Sequence, residues 1–383
     1  MAVPRSRSGA APWLPLWGRL RRNRERRSES GAPIQKDPEV LRERFHQRRS
    51  WAIGGFLILV IVAVLAAGYK DKFWDPPRTE AGSVRGVSFS MGDLVRRIRV
   101  VQGITGTADL TTLPFEYLQS LLQAEILRQD AESLQINVND EIVEQALRAQ
   151  HYPRTQPGQT TDPGQLEQEY RNNLRIYLTR AGLSDSEYRG IWKERLERQA
   201  LYLQLGAEIG DTMEQVEVEW IRLEVNGRVT APEVIARLEN ETFAGVAQSV
   251  GVSKGYADRS GYVGWVPRRA FKEIGALLFG DEQRGQNPLD VGATSGPLFT
   301  GDGIYIVHKL SGPESRELTN IMRAKVNNEL LEDWEQEKLR QGTSEGWATM
   351  NFNSDLYQWV AEQVAVSAPR NQSGGLGNPP AQR

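Results

Sequence analysis

The chain lacks cysteine altogether and has few histidines. Its 383 residues include no Cys and only three His. The absence of cysteine excludes disulfide bonds, thiolate catalysis and thiolate metal sites, and it is compatible with an oxidising compartment. Because His46, His151 and His308 are far apart and follow no metal-ligand spacing, we expect no zinc or iron site and no cofactor.

Motifs of hydrolases and nucleotide-dependent enzymes are also missing. The chain has no P-loop and no Gly-x-Ser-x-Gly nucleophile elbow, and none of its histidines is placed to serve as a general base. Hydrolysis and nucleotide chemistry are therefore disfavoured as functions.

Charge of one sign dominates each end of the chain, although the net charge is only -2. Residues 1–50 carry 13 Lys+Arg and 5 Asp+Glu, whereas the remainder carries 34 and 44. A basic N-terminal segment (the head, residues 1–50) and an acidic remainder (the body) indicate that the two parts of the chain lie in different surroundings. We expect the arginine-rich head to contact anionic lipid, since each basic residue near a membrane contributes about 1 kcal/mol there. Nucleic acid is the alternative partner, and it is not expected.

One long hydrophobic run follows the basic head. The segment "WAIGGFLILVIVAVLAAGY", Trp51 to Tyr69, has 19 residues without a charge, enough at ~1.5 Å per residue to cross nearly all of a ~30 Å hydrocarbon layer. It predicts an uncleaved transmembrane helix, with a cleaved signal peptide or a buried core helix as alternatives. Because positive charge stays inside, the body is expected outside the cytoplasmic membrane, in the periplasm or on the cell-wall side.

Helix signals dominate from about residue 90 to 210. Pro114 opens one predicted helix, and Asn139 caps another. Gly182 stops a third, and Ser184 with Glu187 forms a capping box for the next. The aromatic residues of this region recur at helical spacing, which predicts the core of a helix bundle.

The period changes at residue 215. In "QVEVEWIRLEVNG", Val216, Val218 and Trp220 alternate with glutamates, and the alternation then slips as Ile221 and Leu223 take the other phase. "GIYIVHKL" at 303–310 predicts a second strand. The chain is thus predicted to be α+β. The predicted parts are a basic cytoplasmic segment (1–50), the transmembrane helix (51–69), a linker (70–90), a helical domain (91–213), a small α+β domain (214–312), a C-terminal helical segment returning to the helical domain (313–362) and a disordered tail (363–383).

The order of these pieces resembles a known family. The run "VEVEWIRLE", "APEVIARLENETFAGVAQSVG", "SGYVGWVP", "FKEIGALLFG" and "VGATSGPLFTGDGIYIVHKL" is similar to a parvulin-type peptidyl-prolyl isomerase domain, including Gly292, Ser295, Pro297, Gly303 and Ile306 of the last piece. "AGLSDSEYRGIWKERLERQAL" and "IGDTMEQVEVEWI" resemble the chaperone part of SurA- and PrsA-type extracytoplasmic foldases. The resemblance spans about residues 90–345.

The departures from the family concern its catalytic positions. Parvulins carry one histidine in the first strand and another in the last, and the resemblance places Trp220 and Tyr305 at these positions. His308 is three residues too late and falls on the other face of its strand. Asp258 is the nearest match to the family's acidic or cysteine partner, and a turn role suits it better.

The resemblance also implies an apolar slot that grips a proline ring. Its candidate residues are Trp265, Phe271, Ile274, Leu278, Phe279 and Phe299. Prolyl isomerisation breaks no bond and needs no proton transfer, so losing both histidines weakens the activity without necessarily abolishing it.

Three functions follow as alternatives. The first is a membrane-anchored folding factor that binds unfolded exported polypeptides and whose isomerase-like domain is weak or inactive. The second is an active prolyl isomerase with an atypical site, and the third is a dedicated interaction subunit of a membrane complex.

Overall fold

The computed structural model describes residues 56–105, 113–154, 162–250, 255–351 and 353–367. From Tyr69 onward the chain forms one compact unit. It mixes helices with two antiparallel sheets, which confirms the α+β class.

Helix α1 covers residues 56–69, the described part of the predicted membrane span. Its large apolar side chains are exposed. Within the ranges given above, no helix is both long enough and apolar enough to cross a bilayer. Residues 51–55 of the predicted span and the basic segment 1–50 lie outside the described residues.

Five helices follow in the first half of the compact unit. They are α2 (Met91–Thr105), α3 (Leu113–Asp130), α4 (Asp140–His151), α5 (Pro163–Ala181) and α6 (Asp185–Ala207). Asn139 accepts a hydrogen bond from the Ile142 N–H at 3.0 Å, and Ser184 and Glu187 close the predicted capping box. Gly182 ends α5 with φ 67°, as its type and position predict.

Residues placed in the predicted linker belong to a sheet. Strands β1 (Glu80–Val84) and β2 (Val87–Ser90) pair with β7 (Ala348–Met350) in the order β2-β1-β7. Arg85 and Gly86 have φ values of 42° and 88°, so they make the two-residue turn of a hairpin. A Cβ on Gly82 would lie 2.6 Å from the Thr349 carbonyl oxygen, so glycine permits the close approach of β1 and β7.

The second sheet carries the region that resembles a parvulin. Its strands are β3 (Thr212–Leu223), β4 (Tyr262–Pro267), β5 (Leu298–Thr300) and β6 (Gly303–Glu317), antiparallel in the order β4-β3-β6-β5. Its helices are α7 (Ala231–Leu238), α8 (Phe243–Val250) and α9 (Lys272–Phe279).

The alternation in β3 does not slip where the sequence predicts it. Val218 and Trp220 pack into one core, whereas Ile221 and Leu223 pack into a second core on the opposite face, which α7 and α8 cover. The period of two therefore continues, and what changes at Ile221 is that both faces are now buried.

Two C-terminal helices complete the unit. Helix α10 (Asn320–Glu345) buries Met322 and Val326 in the core of the second sheet and Leu331 in the core of the helices. Helix α11 (Ser354–Ser367) packs against α2. It extends five residues into the predicted disordered tail, and the rest of that tail, from residue 368, lies outside the described residues.

Candidate functional site

A groove of about 720 Å³ lies between the second sheet, α9 and α10. Strands β3 and β6 provide its floor, and α10 provides a wall from outside the parvulin-like region. Its lining combines aromatic and charged side chains: Trp220, Arg222, Tyr256, Phe271, Lys272, Glu273, Ile274, Asp302, Tyr305, Lys325, Glu329, Glu332 and Gln336, with Gly255, Thr300 and Gly301.

Trp220 lies at the floor of this groove. Its side chain is 3% exposed, because it packs edge-on against Phe271 and Tyr305, with ring centroids 5.3 Å and 5.6 Å away. Tyr256 extends the cluster, 4.9 Å from Phe271. Edge-to-face pairs of this kind stabilise aromatic clusters beyond the area that they bury. The predicted packing role of Trp220 agrees with this placement.

A polar network adjoins the aromatic floor. Arg222 stands opposite Tyr305 in the β3–β6 register, and both side chains reach Asp302 in the turn between β5 and β6. The Tyr305 hydroxyl donates to Asp302 Oδ2 at 2.8 Å, and the Arg222 guanidinium donates to the Asp302 carbonyl oxygen. Arg222 Nε lies 3.3 Å from Asp302 Oδ2 without hydrogen-bond geometry.

This network shifts two pKa values in opposite directions. Burial, with the hydrogen bond to Asp302, raises the pKa of the Tyr305 phenol above its ordinary value. Burial by itself would also raise the pKa of Asp302, but hydrogen bonds from Thr300 and Tyr305, together with nearby Arg222, lower it. At neutral pH the network therefore holds a neutral phenol, a carboxylate and a guanidinium.

The structure does not bring the six predicted slot residues together. Phe271 and Ile274 line the groove, and Leu278 lies in the core beneath. The other three lie elsewhere: Phe279 stacks under the Arg268 guanidinium at 4.6 Å, Trp265 under that of Arg316 at 4.1 Å, and Phe299 on β5 is 68% exposed.

Sequence reasoning missed Arg222, Tyr256, Asp302 and the whole α10 wall. The period of two in β3 held a usable signal for Arg222, since it places residue 222 on the same face as Trp220. Lys325 and Glu329 carried no such signal, because their position beside the groove depends on how α10 packs.

The two described histidines lie away from the groove. His308 is on the opposite face of the sheet, where Nδ1 is 2.7 Å from Glu219 Oε1 and the ring faces Phe243. In the helices, His151 Nε2 is 2.9 Å from the Tyr188 hydroxyl, and burial lowers its pKa. His46 lies outside the described residues. Among the residues with assigned positions, no group of three potential ligands is arranged to hold a metal ion.

Asp258 is a turn residue. Its Oδ1 accepts hydrogen bonds from the backbone N–H groups of Ser260 and Tyr262, at 2.8 Å and 3.0 Å, and from the Ser260 hydroxyl. The hydrogen bond from the Ser260 side chain is the chief cause of its lowered pKa. This geometry fits the turn role expected from the sequence, and Asp258 is not among the residues that line the groove.

A second cavity, of about 580 Å³, lies between α4, α5 and α6. Its charged side chains already satisfy one another. Glu144 accepts hydrogen bonds from Arg148, Arg189 and Tyr170, and Arg148 also holds Glu167 through two bonds, at 2.8 Å and 3.1 Å. The ion pairs around this cavity therefore link the three helices and stabilise their packing.

The groove can hold an extended apolar segment against aromatic faces, with the Arg222 guanidinium and the Tyr305 hydroxyl nearby as hydrogen-bonding groups. Neither Trp220 nor Tyr305 carries a side chain that exchanges protons readily at neutral pH. The arrangement suits binding and orientation of a polypeptide more than proton transfer.

Comparison with known proteins gives likenesses among solved structures only. No protein-family model matches the chain, and no curated protein matches it. A peptidylprolyl isomerase of the PrsA type from Bacillus anthracis is 14% identical, with a TM-score of 0.35, and the match covers 62% of this chain and 99% of that one. A SurA-like chaperone structure from Campylobacter jejuni is also 14% identical, with a TM-score of 0.23, and the match covers 72% of this chain and 100% of that one.

The parvulin of Nitrosopumilus maritimus is 19% identical, with a TM-score of 0.21, and the match covers 26% of this chain and 97% of that one. The solved structures similar to this chain thus include PrsA-type, SurA-like and parvulin proteins.

Proposed function

We propose that the protein is a membrane-anchored, extracytoplasmic folding factor that binds unfolded exported polypeptides in the groove, with little or no prolyl isomerase activity. The observation that carries the proposal is the floor of the groove, where Trp220 packs against Phe271 and Tyr305. Trp220 and Tyr305 are the residues that the resemblance places at the histidine positions of parvulins. Rigid aromatic faces bind extended apolar segments of many sequences.

The lack of turnover follows from what isomerisation requires. The barrier of about 18–20 kcal/mol falls only if the twisted amide is bound better than the planar one. Trp220 is 3% exposed and packs edge-on against Phe271 and Tyr305, so its ring offers little surface with which to favour the twisted amide. Binding without discrimination between the two forms leaves the rate unchanged.

The anchoring part of the proposal is supported by the uncharged run from Trp51 to Tyr69 and by the arginines that precede it. The exposed apolar side chains of α1 are consistent with this role. Such an anchor would keep the acidic body close to the membrane where exported chains emerge.

The proposal is tested by peptide binding with two matched variants. Tyr256 and Tyr262 are 40% and 42% exposed, but only Tyr256 lines the groove. A labelled, unstructured peptide rich in Phe, Leu and Pro should bind about two- to ten-fold more weakly to Tyr256→Ala, the range of one lost aromatic contact. Tyr262→Ala should bind it like the natural chain. Fluorescence anisotropy measures both affinities.

The natural chain should also suppress the aggregation of a chemically denatured enzyme, which light scattering measures. Tyr256→Ala should suppress it less well, and Tyr262→Ala should act like the natural chain. The proposal is wrong if the natural chain neither binds the peptide nor slows the aggregation. Equal loss in both tyrosine variants would remove the groove from the binding site.

One observation favours the second candidate function, an atypical isomerase. The Arg222 guanidinium and the Tyr305 hydroxyl both reach the groove floor, where they could polarise the carbonyl of a twisted amide. A protease-coupled assay with a proline peptide distinguishes the two. We expect the uncatalysed rate, whereas turnover that falls in Arg222→Met and survives in Tyr262→Ala would establish the atypical enzyme.

A further inference from the structure

The α10 wall joins the groove through two contacts with α9. The Lys325 ammonium lies 5.1 Å from the centre of the Phe271 ring, and Lys272 at the start of α9 forms an ion pair with Asp333. Glu332 is next to Asp333 in α10, and Glu273 is next to Lys272 in α9. Both carboxylates line the groove and both are exposed.

Among the residues that the structure describes, the three cations that line the groove are all engaged with carboxylates. Arg222 contacts Asp302, and Lys325 Nζ donates to Glu329 Oε1 at 2.5 Å. Lys272 holds Asp333, which is not a lining residue. Within the described lining, no positive charge is therefore left over for an acidic ligand.

The lining carboxylates are not all engaged. Within the part of the chain that the structure describes, Glu273 and Glu332 have neither a salt bridge nor a side-chain hydrogen bond. Lys272 and Arg198 are close enough to Glu332 to feel its charge, but Lys272 is paired with Asp333 and Arg198 makes two bonds to Glu335, at 2.6 Å and 3.0 Å. The mouth of the groove thus keeps two free negative charges beside an aromatic floor.

We infer that Glu273 and Glu332 select, among extended polypeptides, those with a basic side chain next to the apolar residue that enters the groove. The inference rests on the proposed function and adds the substrate class. The apolar residue meets Phe271 and Tyr256 on the floor, and a neighbouring Lys or Arg reaches the two carboxylates at the mouth. Because the carboxylates are exposed, the effect is modest and is screened by salt.

Three labelled peptides test the inference on the full chain. They share an unstructured Leu-Phe-Pro centre and differ only in one flanking residue, which is Arg, Gln or Glu. At low salt the Arg peptide should bind about two- to five-fold more tightly than the Gln peptide, the range of one exposed ion pair, and the Glu peptide should bind most weakly. The differences should shrink at about 1 M salt, where the screening length is about 3 Å.

Carboxylate variants identify the source of the preference. Glu332→Gln should reduce the ratio between the Arg and Gln peptides, and the double variant with Glu273→Gln should bring it close to one, while affinity for the Gln peptide is retained. Glu239→Gln is the control, because Glu239 is also exposed but lies at the end of α7, on the opposite face of the sheet. It should leave the ratio unchanged.

The possible failures are distinct. Equal affinity of the natural chain for the Arg and Gln peptides at low salt overturns the charge selection and leaves the proposed function standing. A ratio that persists in the double variant also overturns it. If none of the three peptides binds, the proposed function falls and the selection falls with it.

Discussion

Trp220 is the most deeply buried aromatic residue of the groove, 3% exposed, and its indole packs edge-on against Phe271 and Tyr305. Replacing it with alanine leaves a cavity whose walls cannot fully collapse. At the residue scale, Trp220 is thus a packing residue.

Trp220→Ala should lower the free energy of unfolding of the natural chain by about 3–5 kcal/mol, the usual cost of truncating a large buried aromatic residue. Trp265→Ala is the matched control, since Trp265 is only half buried and stacks under Arg316. Trp265→Ala should lower the free energy of unfolding clearly less than Trp220→Ala does. Chemical denaturation of both variants measures the difference, and equal losses would contradict the burial argument.

Two glutamates with opposite pKa shifts give opposite pH dependence. Glu197 is 4% exposed, and burial raises the pKa of its carboxyl. Its charged form therefore opposes folding at pH values above the raised pKa, and this penalty disappears as the pH falls to the ordinary value of 4.5. Glu197→Gln should raise the melting temperature at pH 7 and have little effect near pH 4.

Glu187 is the complementary case. Hydrogen bonds from the Ser184 side chain and backbone lower its pKa to about 2, so its stabilisation is complete above 4.5 and is lost as the pH falls toward 2. Glu187→Gln should lower the melting temperature at pH 7. Scanning calorimetry at pH 4 and pH 7 tests the pair, and the same sign of change for both variants at pH 7 would refute the assignment.

At the element scale, helices α6 and α10 are held together by close packing at a glycine. A Cβ on Gly206 of α6 would collide with the Asn327 side chain of α10, and Arg198 binds Glu335 about two turns further along α10. Gly190, also on α6, has open space where its Cβ would be. One helix therefore offers both a crowded and a free glycine.

Gly206→Ala should destabilise the chain, because the contact with Asn327 forces the two helices apart. Gly190→Ala should stabilise it by about 0.5–1 kcal/mol, the usual gain from replacing an uncrowded helical glycine. Thermal unfolding followed by circular dichroism compares the two. A stabilising effect at both positions would show that the α6–α10 contact is looser than described.

The sequence predicts single elements well where the signal is local. The capping box at Ser184 and the stop at Gly182 depend on neighbours within four residues, and both occur as predicted. The sequence predicts a linker where the hairpin at Arg85–Gly86 lies, because the two strands of the hairpin are short. The third strand of their sheet comes from residues 348–350. Pairing partners so distant leave no periodic trace near residue 80.

At the scale of the whole molecule, contacts between segments that are distant in sequence again limit what could be predicted of the groove. Trp220, Phe271 and Ile274 lie in segments that resemble a parvulin, so their neighbourhood followed from the resemblance. Glu329 and Glu332 lie outside those segments, and only the packing of α10 against both the sheet and the helices brings them to the groove.

The proposed membrane anchor predicts a particular topology in cells. A reporter enzyme that is active only outside the cytoplasm should be active when fused after residue 367 and inactive when fused after residue 45. Replacing four residues of the run 51–69 with arginine should release or mislocalise the fusion, because each charge in the hydrocarbon region costs about 2.5–3.5 kcal/mol. An active reporter after residue 45 would contradict the orientation.

The pairing of β1 with β7 also sets an order of events during synthesis. The Ser83 and Thr349 hydroxyls are 2.7 Å apart but separated by 266 positions. A ribosome must therefore make nearly the whole body before the first hairpin receives its third strand, and until then one edge of β1 stays unpaired. A copy terminated before residue 348 would lack β7, and the edge of β1 that β7 covers would stay open to pairing with a neighbouring chain.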